Sequence, residues 1–312
     1  MRLKLVPSNT NIDFLRFRLV AVALSFFLVI SSIALFSFIG LNLGIDFKGG
    51  ILIEARHKDS PAEIGIIRTQ LNELKLGDMS IQGFGTDTDI LVRVQRQAGD
   101  ESAQIAAIQK IGEALGTNYQ IRRTEFVGPT VGVELAEKGA LAVFCAILAI
   151  MIYIWFRFEW QFSIAAIIAL LHDVLTTVGL FALTRFEFNL ATVAALLTIA
   201  GYSINDTVVV FDRVRENLRR YKSYQLLEIL NLSLNETLSR TVMTSVTTLL
   251  ALIAIVIFGG AVLRDFALAM IWGVLIGTYS SIFVAVGALA RFDLKRSNQD
   301  DDDVTKPEYE RN

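Results

Sequence analysis

Apolar residues along the chain fall into long runs separated by mixed stretches. A helix that crosses a bilayer needs about 20 predominantly apolar residues. Six runs are candidates, at 19–40, 140–156, 162–184, 190–211, 240–260 and 266–290. Between the first two, residues 41–139 follow shorter periods. Ile51–Arg56 is strand-like. Ser60-Pro61-Ala62-Glu63 reads as a capping box with proline at the first helical position, ahead of a helix face marked by Ile64, Ile67, Leu71 and Leu74. Met79–Phe84 is a weak strand, and Ile90, Val92 and Val94 alternate with Leu91, Arg93 and Gln95 as in a half-buried strand. Ile105, Ile108, Ile111 and Leu115 mark a second helix face, and Tyr119–Val127 closes as a strand. Gly77, Gly83, Gly85 and Asp87 are expected in turns. The order β-α-β-β-α-β is that of a ferredoxin-like fold. The predicted fold class is therefore a polytopic α-helical membrane protein with six transmembrane helices and an α+β ferredoxin-like domain between helices one and two.

Composition agrees with lipid-facing surface. The chain is 53% hydrophobic with a mean hydropathy of +0.51, more apolar than a soluble domain of this length. The first run is too long for a signal-peptide core and no small-x-small site follows it, so it is expected to stay as an anchor. Orientation follows from Lys and Arg in short loops. Arg2, Lys4, Arg16 and Arg18 lie before the first span; Arg213, Arg215, Arg219, Arg220 and Lys222 follow the fourth; Arg291, Lys295 and Arg296 follow the sixth. The alternate loops carry only Arg185 and Arg264. This bias predicts cytoplasmic segments at 1–18, 212–239 and 291–312, with 41–139 in the periplasm of a bacterial inner membrane. The acidic run Asp300–Asp303 opens a polar, solvated tail, with partner binding as the alternative.

Ionisable groups inside lipid cost roughly 2.5–3.5 kcal/mol each on insertion scales, so those present are paired or functional. Asp206 shares a helical stripe with Thr198, Tyr202 and Asn205, a face too polar for lipid and therefore expected to turn towards the bundle. Arg240 opens the fifth span among Thr237, Thr241, Thr244 and Thr248. At about 1.5 Å per residue the two charges lie at similar depth, which allows pairing. The plainer readings are a structural hydrogen bond for Asp206 and an interfacial, snorkelling anchor for Arg240. His172-Asp173, inside the third span, reads either as a structural contact or as part of a proton relay. His172, Asp173, Asn205, Tyr202, Thr237 and Thr244 are thus candidates for a secondary polar network. Gly273 and Gly277 form a small-xxx-small pair for close helix packing.

There is no Walker A sequence, no HExxH and no Gly-x-Ser-x-Gly. With two histidines and one cysteine a zinc site is not expected, and no cofactor, nucleic acid or enzymatic activity is suggested. Work must then come from a partner or an ion gradient, where one charge crossing the membrane yields about 2.3 kcal/mol per 100 mV. A carboxylate that exchanges a proton can couple that energy to helix movement, and Asp206 is the best candidate.

Gly201-Tyr202-Ser203-Ile204-Asn205-Asp206-Thr207, running on to Phe211-Asp212-Arg213-Val214-Arg215-Glu216-Asn217, resembles the fourth-span signature of the SecF family, the smaller half of the SecD–SecF protein-export complex. Gly44-Ile45-Asp46-Phe47-Lys48-Gly49-Gly50, Val127-Gly128-Pro129-Thr130-Val131-Gly132 and Asn235-Glu236-Thr237-Leu238-Ser239-Arg240-Thr241 agree in order. Lys48 departs from the family, which often has a small hydroxyl residue there. The resemblance implies the fold of the resistance–nodulation–division superfamily, pairing with SecD, association with the SecYEG channel and a YajC-type accessory protein, and preprotein movement driven by the proton motive force within membrane lipid. By motif match, Asp206 and Arg240 correspond to charges of proton conduction. Gly44, Gly49 and Gly50 are expected to take unusual backbone angles where the first helix gives way to the domain, and Gly128-Pro129 to fix a turn on the return; all five read as hinges between bundle and domain, or as simple turn geometry. The competing expectations are a proton-driven small-molecule or lipid exporter of the same superfamily, and a passive scaffold.

Overall fold

The computed structural model describes residues 10–77, 79–292 and 294, with the side chains of residues 84, 129, 130 and 260–262 left out. Arg2, Lys4, Lys295, Arg296 and the run Asp300–Asp303 lie outside the described residues.

Six helices are long and apolar enough to cross a membrane. They contain α1 (Arg18–Phe38), α5 (Pro129–Arg157), α6 (Trp160–Thr184), α7 (Leu190–Arg220), α8 (Leu226–Phe258) and α9 (Gly260–Tyr279). The last continues through a π-helical turn, Ser280–Ala285, into α10 (Val286–Leu289). Between α1 and α5 come β1 (Asn42–Leu43), α2 (Ile45–Lys48), β2 (Gly50–His57), α3 (Ile64–Asn72), β3 (Met79–Phe84), β4 (Thr86–Val94), α4 (Glu101–Leu115) and β5 (Tyr119–Val127). A last short strand, β6 (Glu187–Phe188), joins α6 to α7.

The domain sheet has the order β3-β4-β2-β5, all neighbours antiparallel. With α3 and α4 it makes the β-α-β-β-α-β arrangement of a ferredoxin-like domain. Ile51, Ile53, Ile90, Val92, Ile67, Leu71 and Ile111 form its core.

Local details differ from the periodic reading for identifiable reasons. The predicted capping box does not form: α3 starts at Ile64, with Glu63 as N-cap and no side-chain cap. Ser60 instead bonds His57 Nδ1, and the Ala62 N–H donates to Asp87 O on β4, which holds the approach extended. Gly83 and Asp87 lie inside β3 and β4 rather than in turns. The buried face of α4 is Gln104, Ala107, Ile111 and Leu115, while Ile105 is exposed. Gln104 tolerates burial because its amide bonds both Gln97 N and Gln97 O. Leu91 is buried beside Ile90 and Val92, because the second face of the sheet lies over the membrane helices.

The helices also outrun the apolar windows. Proline at the first turn starts α5 directly after β5, so the expected domain boundary at 139 falls inside a helix. The segment 212–239, expected as a loop, is helical to Arg220 and again from Leu226. Here polar side chains pair with one another: Asn217 Nδ2 donates to Ser233 Oγ and to a Glu236 carboxylate oxygen, joining α7 to α8.

The bundle centre is formed by α6, α7 and α9, whose most apolar windows are 50–56% buried, against 6–17% for α1, α5 and α8. Gly273 lets α9 approach α7, since a Cβ there would overlap Ile199; Gly277 sits over Ser203. That is the close packing predicted for this glycine pair.

Candidate functional site: buried carboxylates in the bundle

Asp206 is on α7 and 7% exposed. Thr241 Oγ1 on α8 donates to its Oδ1 at 2.9 Å, and Ser281 Oγ in the π-helical turn donates to its Oδ2 at 3.1 Å. One carboxylate thus joins three elements. The Thr241 contact puts Asp206 and the start of the fifth span at one depth, as the residue count along each helix requires. Arg240, the residue before Thr241, is exposed. Its charge acts on Asp206 through space, but no ion pair joins them among the described residues.

Asp173 on α6 is wholly buried. Its Oδ2 accepts from Ser203 Oγ of α7 at 2.5 Å and from Ser280 Oγ at 2.6 Å; its Oδ1 meets His172 Nδ1 at 2.9 Å. Thr176 and Thr177 return their hydroxyls to the Asp173 carbonyl. His172 is also buried; its ring lies 6.0 Å from that of Tyr279, and its Nε2 has no partner among the described residues. Adjacent serines therefore serve different acids, Ser280 on Asp173 and Ser281 on Asp206.

The candidate network is only partly assembled. His172 and Asp173 belong to it. Tyr202 is half-buried, and its hydroxyl oxygen is buried without a partner among the described residues. Asn205 and Thr198 are exposed, as is Gly201 between them, so this face of α7 is open rather than turned into the bundle. Thr237 is buried but donates to Ser233 O and Leu234 O of its own helix, and exposed Thr244 donates to Arg240 O and Thr241 O. Ser203, Ser280 and Ser281 were not among the predicted site residues. Their signal was a small hydroxyl in an otherwise apolar span, which is weak because such residues also satisfy their own backbone.

The proposed hinges divide. Gly49 and Gly50 have φ of +73° and +136°, where side chains other than hydrogen are strained. Gly44 and Gly128 have φ of −73° and −69°, which any residue adopts, so the expectation of special backbone angles at Gly44 is corrected. Pro129 opens α5. Around these glycines the domain is tied to the bundle. β1 pairs with β6 in parallel. Asp46 Oδ2 accepts from the Leu190 N–H at the start of α7, where an anion is favoured by the helix dipole. Asn189 and Thr192 cap the same helix reciprocally.

Residues 107–295 match the family model described as the C-terminal part of the protein export membrane proteins SecD and SecF, and residues 34–56 match the SecD/SecF GG motif. A protein translocase subunit SecF of Rhodobacter capsulatus is 45% identical over 320 residues, covering 98% of this chain and 96% of that one. The subunit of the same name from Rickettsia felis is 43% identical over 304 residues, covering 95% and 97%. The crystal structure of SecDF, a translocon-associated membrane protein from Thermus thermophilus, superposes with a TM-score of 0.81 at 37% identity. It covers 93% of this chain, which in turn spans 39% of that longer chain.

Proposed function

The chain belongs to the SecD/SecF family of protein-export membrane proteins and is an accessory subunit of Sec translocation; we propose that Asp206 lets it use the proton motive force for that work. The observation that carries this is the carboxylate of Asp206, buried at the junction of α7, α8 and the π-helical turn and held, among the described residues, by two hydroxyl groups. As a carboxylate it accepts from both Thr241 and Ser281. With a proton it becomes a donor on one oxygen, so one of those hydroxyls must turn elsewhere. Ser281 has a second acceptor ready, Thr278 O at 3.0 Å. Arg240 supplies a positive field beside the site.

The N-terminus of α7 is tied to Asp46 and the β1–β6 pair, at the root of the domain. A shift of α7 or its neighbours therefore reaches the domain, which would pull or release a preprotein. The exposed positions Thr198, Gly201 and Asn205 on α7, with exposed Arg240 and Thr244 on α8, are too polar for acyl chains. A SecD-type subunit would cover them. The pair would act on the SecYEG channel, with a YajC-type protein in the same assembly, in the bacterial inner membrane with both termini cytoplasmic. The cationic far end of α7, with Arg213, Arg215, Arg219 and Arg220, supports that orientation.

The test is Asp206→Asn in complexes reconstituted with the channel and motor ATPase. Gradient-dependent export should fall to the level measured without a gradient, with the subunits still co-purifying. Normal gradient-driven export by this variant would remove the coupling role.

A further inference from the structure

We propose that Asp173 is a second proton-holding carboxyl of this coupling, joined to Asp206 through the adjacent hydroxyls of Ser280 and Ser281 at the start of the π-helical turn. The inference rests on the reading of Asp206 given above and adds a residue, an element and a connection to it.

Three observations converge. Asp173 is wholly buried, and its oxygens meet only Ser203, Ser280 and the neutral-capable ring of His172 among the described residues. A permanently charged group in that setting is costly, whereas one that alternates between charged and neutral forms has a use. Second, Ser280 and Ser281 are consecutive, yet each reaches a different acid. Third, both lie where the helix changes from α to π hydrogen bonding, a geometry with an extra residue per turn that recurs at functional sites.

Each serine has one hydroxyl proton and two acceptors within reach. Ser280 divides between Asp173 Oδ2 at 2.6 Å and Gly277 O at 3.1 Å. Ser281 divides between Asp206 Oδ2 and Thr278 O. Loading adds one proton from the gradient to Asp173 Oδ2, which changes from carboxylate to carboxylic acid. Its O–H then donates to Ser280 Oγ, and the Ser280 hydrogen turns to Gly277 O. Unloading returns that proton and reverses both bonds, leaving no net change in the protein. The same exchange at Asp206 turns Ser281 to Thr278 O. Two acids thus bias successive carbonyls of one turn, so the charge of each alters the hold of the other. Among the described residues the groups facing Asp173 are His172 on α6, Ser203 on α7 and Ser280 in the π-helical turn, with the Tyr279 ring beside that of His172; Arg240 on α8 acts on Asp206.

The test uses the full chain with its SecD-type partner, reconstituted with the channel and motor ATPase. Asp173→Asn keeps the shape and the serine contacts, so assembly should persist while gradient-dependent export falls to the gradient-free level. Ser280→Ala should lower that increment and Ser280→Thr restore it, which packing alone would not produce. Should the Asn variant fail to assemble, dicyclohexylcarbodiimide, which adds to protonated buried carboxyls, decides on the Asp206→Asn complex. An adduct mapped to Asp173 that fades as pH rises supports the proposal. No adduct at any pH, or a full export increment in Asp173→Asn, overturns it. An inactive Asp206→Asn beside a fully active Asp173→Asn would sink this inference alone; a fully active Asp206→Asn would sink the earlier reading.

Discussion

At the residue scale, the domain shows how one carboxyl can be fixed in a single charge state, in contrast to those in the bundle. Asp89 on β4 is 5% exposed and accepts from Arg56 Nε at 2.5 Å, Arg56 Nη2 at 2.7 Å and Thr86 Oγ1 at 2.8 Å. The Arg56 hydrogen bonds, then that of Thr86, hold its carboxyl below the ordinary carboxylate range against the opposing effect of burial. A lowered native value means the native state binds the proton less readily than the unfolded chain. Stability from Asp89 is therefore complete above the ordinary carboxylate value and is lost as pH falls through the lowered one. Arg56 is partly exposed, so the contribution is modest. Asp89→Asn should cost about 1 kcal/mol near neutral pH, and the difference from the parent should shrink in acid. Thermal unfolding of the full chain in detergent across pH reads this directly; a gap that widened in acid would contradict the sign. Among the described residues Asp206 and Asp173 have no such arginine fork: hydroxyls hold Asp206, and two hydroxyls and the His172 ring hold Asp173, the arrangement expected of groups that change charge. Asp206 was legible in the sequence because a lone acid in an apolar run stands out. The arrangement around it was not, because the hydroxyl partners come from distant spans and nothing in local spacing selects Ser281 over other serines.

At the element scale, strand and helix order could be read from periodicity, while facing and ends could not. The βαββαβ order follows from alternating and helical apolar positions, but the face of α4 turned because Gln104 found two backbone partners in Gln97. The polar stripe of α7 predicts an inward face and the structure leaves it open, because polarity says only that a residue avoids lipid, not whether its own chain or another covers it. Helix ends overran the apolar windows at α5, α7 and α8, since charged turns outside the hydrocarbon remain helical once capped or paired. The junction glycines test the same distinction. Gly50 combines φ of +136° with a Cβ position 2.7 Å from Val94 O, and Gly128 has an ordinary φ and open space. Gly50→Ala should destabilise the fold by roughly 2–3 kcal/mol through strained backbone and contact with the β4 carbonyl. Gly128→Ala should be tolerated within about 0.5 kcal/mol. Thermal unfolding and yield of folded protein separate the two, and equal effects would mean that the turn geometry is not what the glycines supply.

At the scale of the whole molecule, the question is what binds the domain to the helices that carry the acids. The sheet face opposite α3 and α4 lies across the domain-side ends of α7 and α9, around a cleft of about 420 Å³ lined by Leu52, Leu91, Arg123, Glu125, Arg264 and Asp265 among others. Arg93 of β4 crosses this seam to an ion pair with Glu187 of β6, and Asp265 at the start of α9 adds to the field at Arg93. Both partners of the pair are largely shielded, with side-chain exposures of 18% and 10%. A shielded pair is weakened little by salt and leaves an uncompensated charge if one partner is lost. Glu187 pairs through its backbone with Asn42 after α1 and lies two residues before the N-cap of α7. The pair therefore joins the domain to the helix bearing Asp206 at one point. Reversing Arg93 to Glu should release the domain, seen as a broadened distance distribution between spin labels on α4 and on α9, and should lower gradient-dependent export. Restoring opposite charges with Arg93→Glu and Glu187→Arg together should recover part of both, with a favourable coupling of about 1–2 kcal/mol in a double-mutant cycle. Additive effects of the two reversals would mean that the seam is held by β1–β6 pairing and apolar contact instead, and that movement reaches the domain through Asp46 and the start of α7.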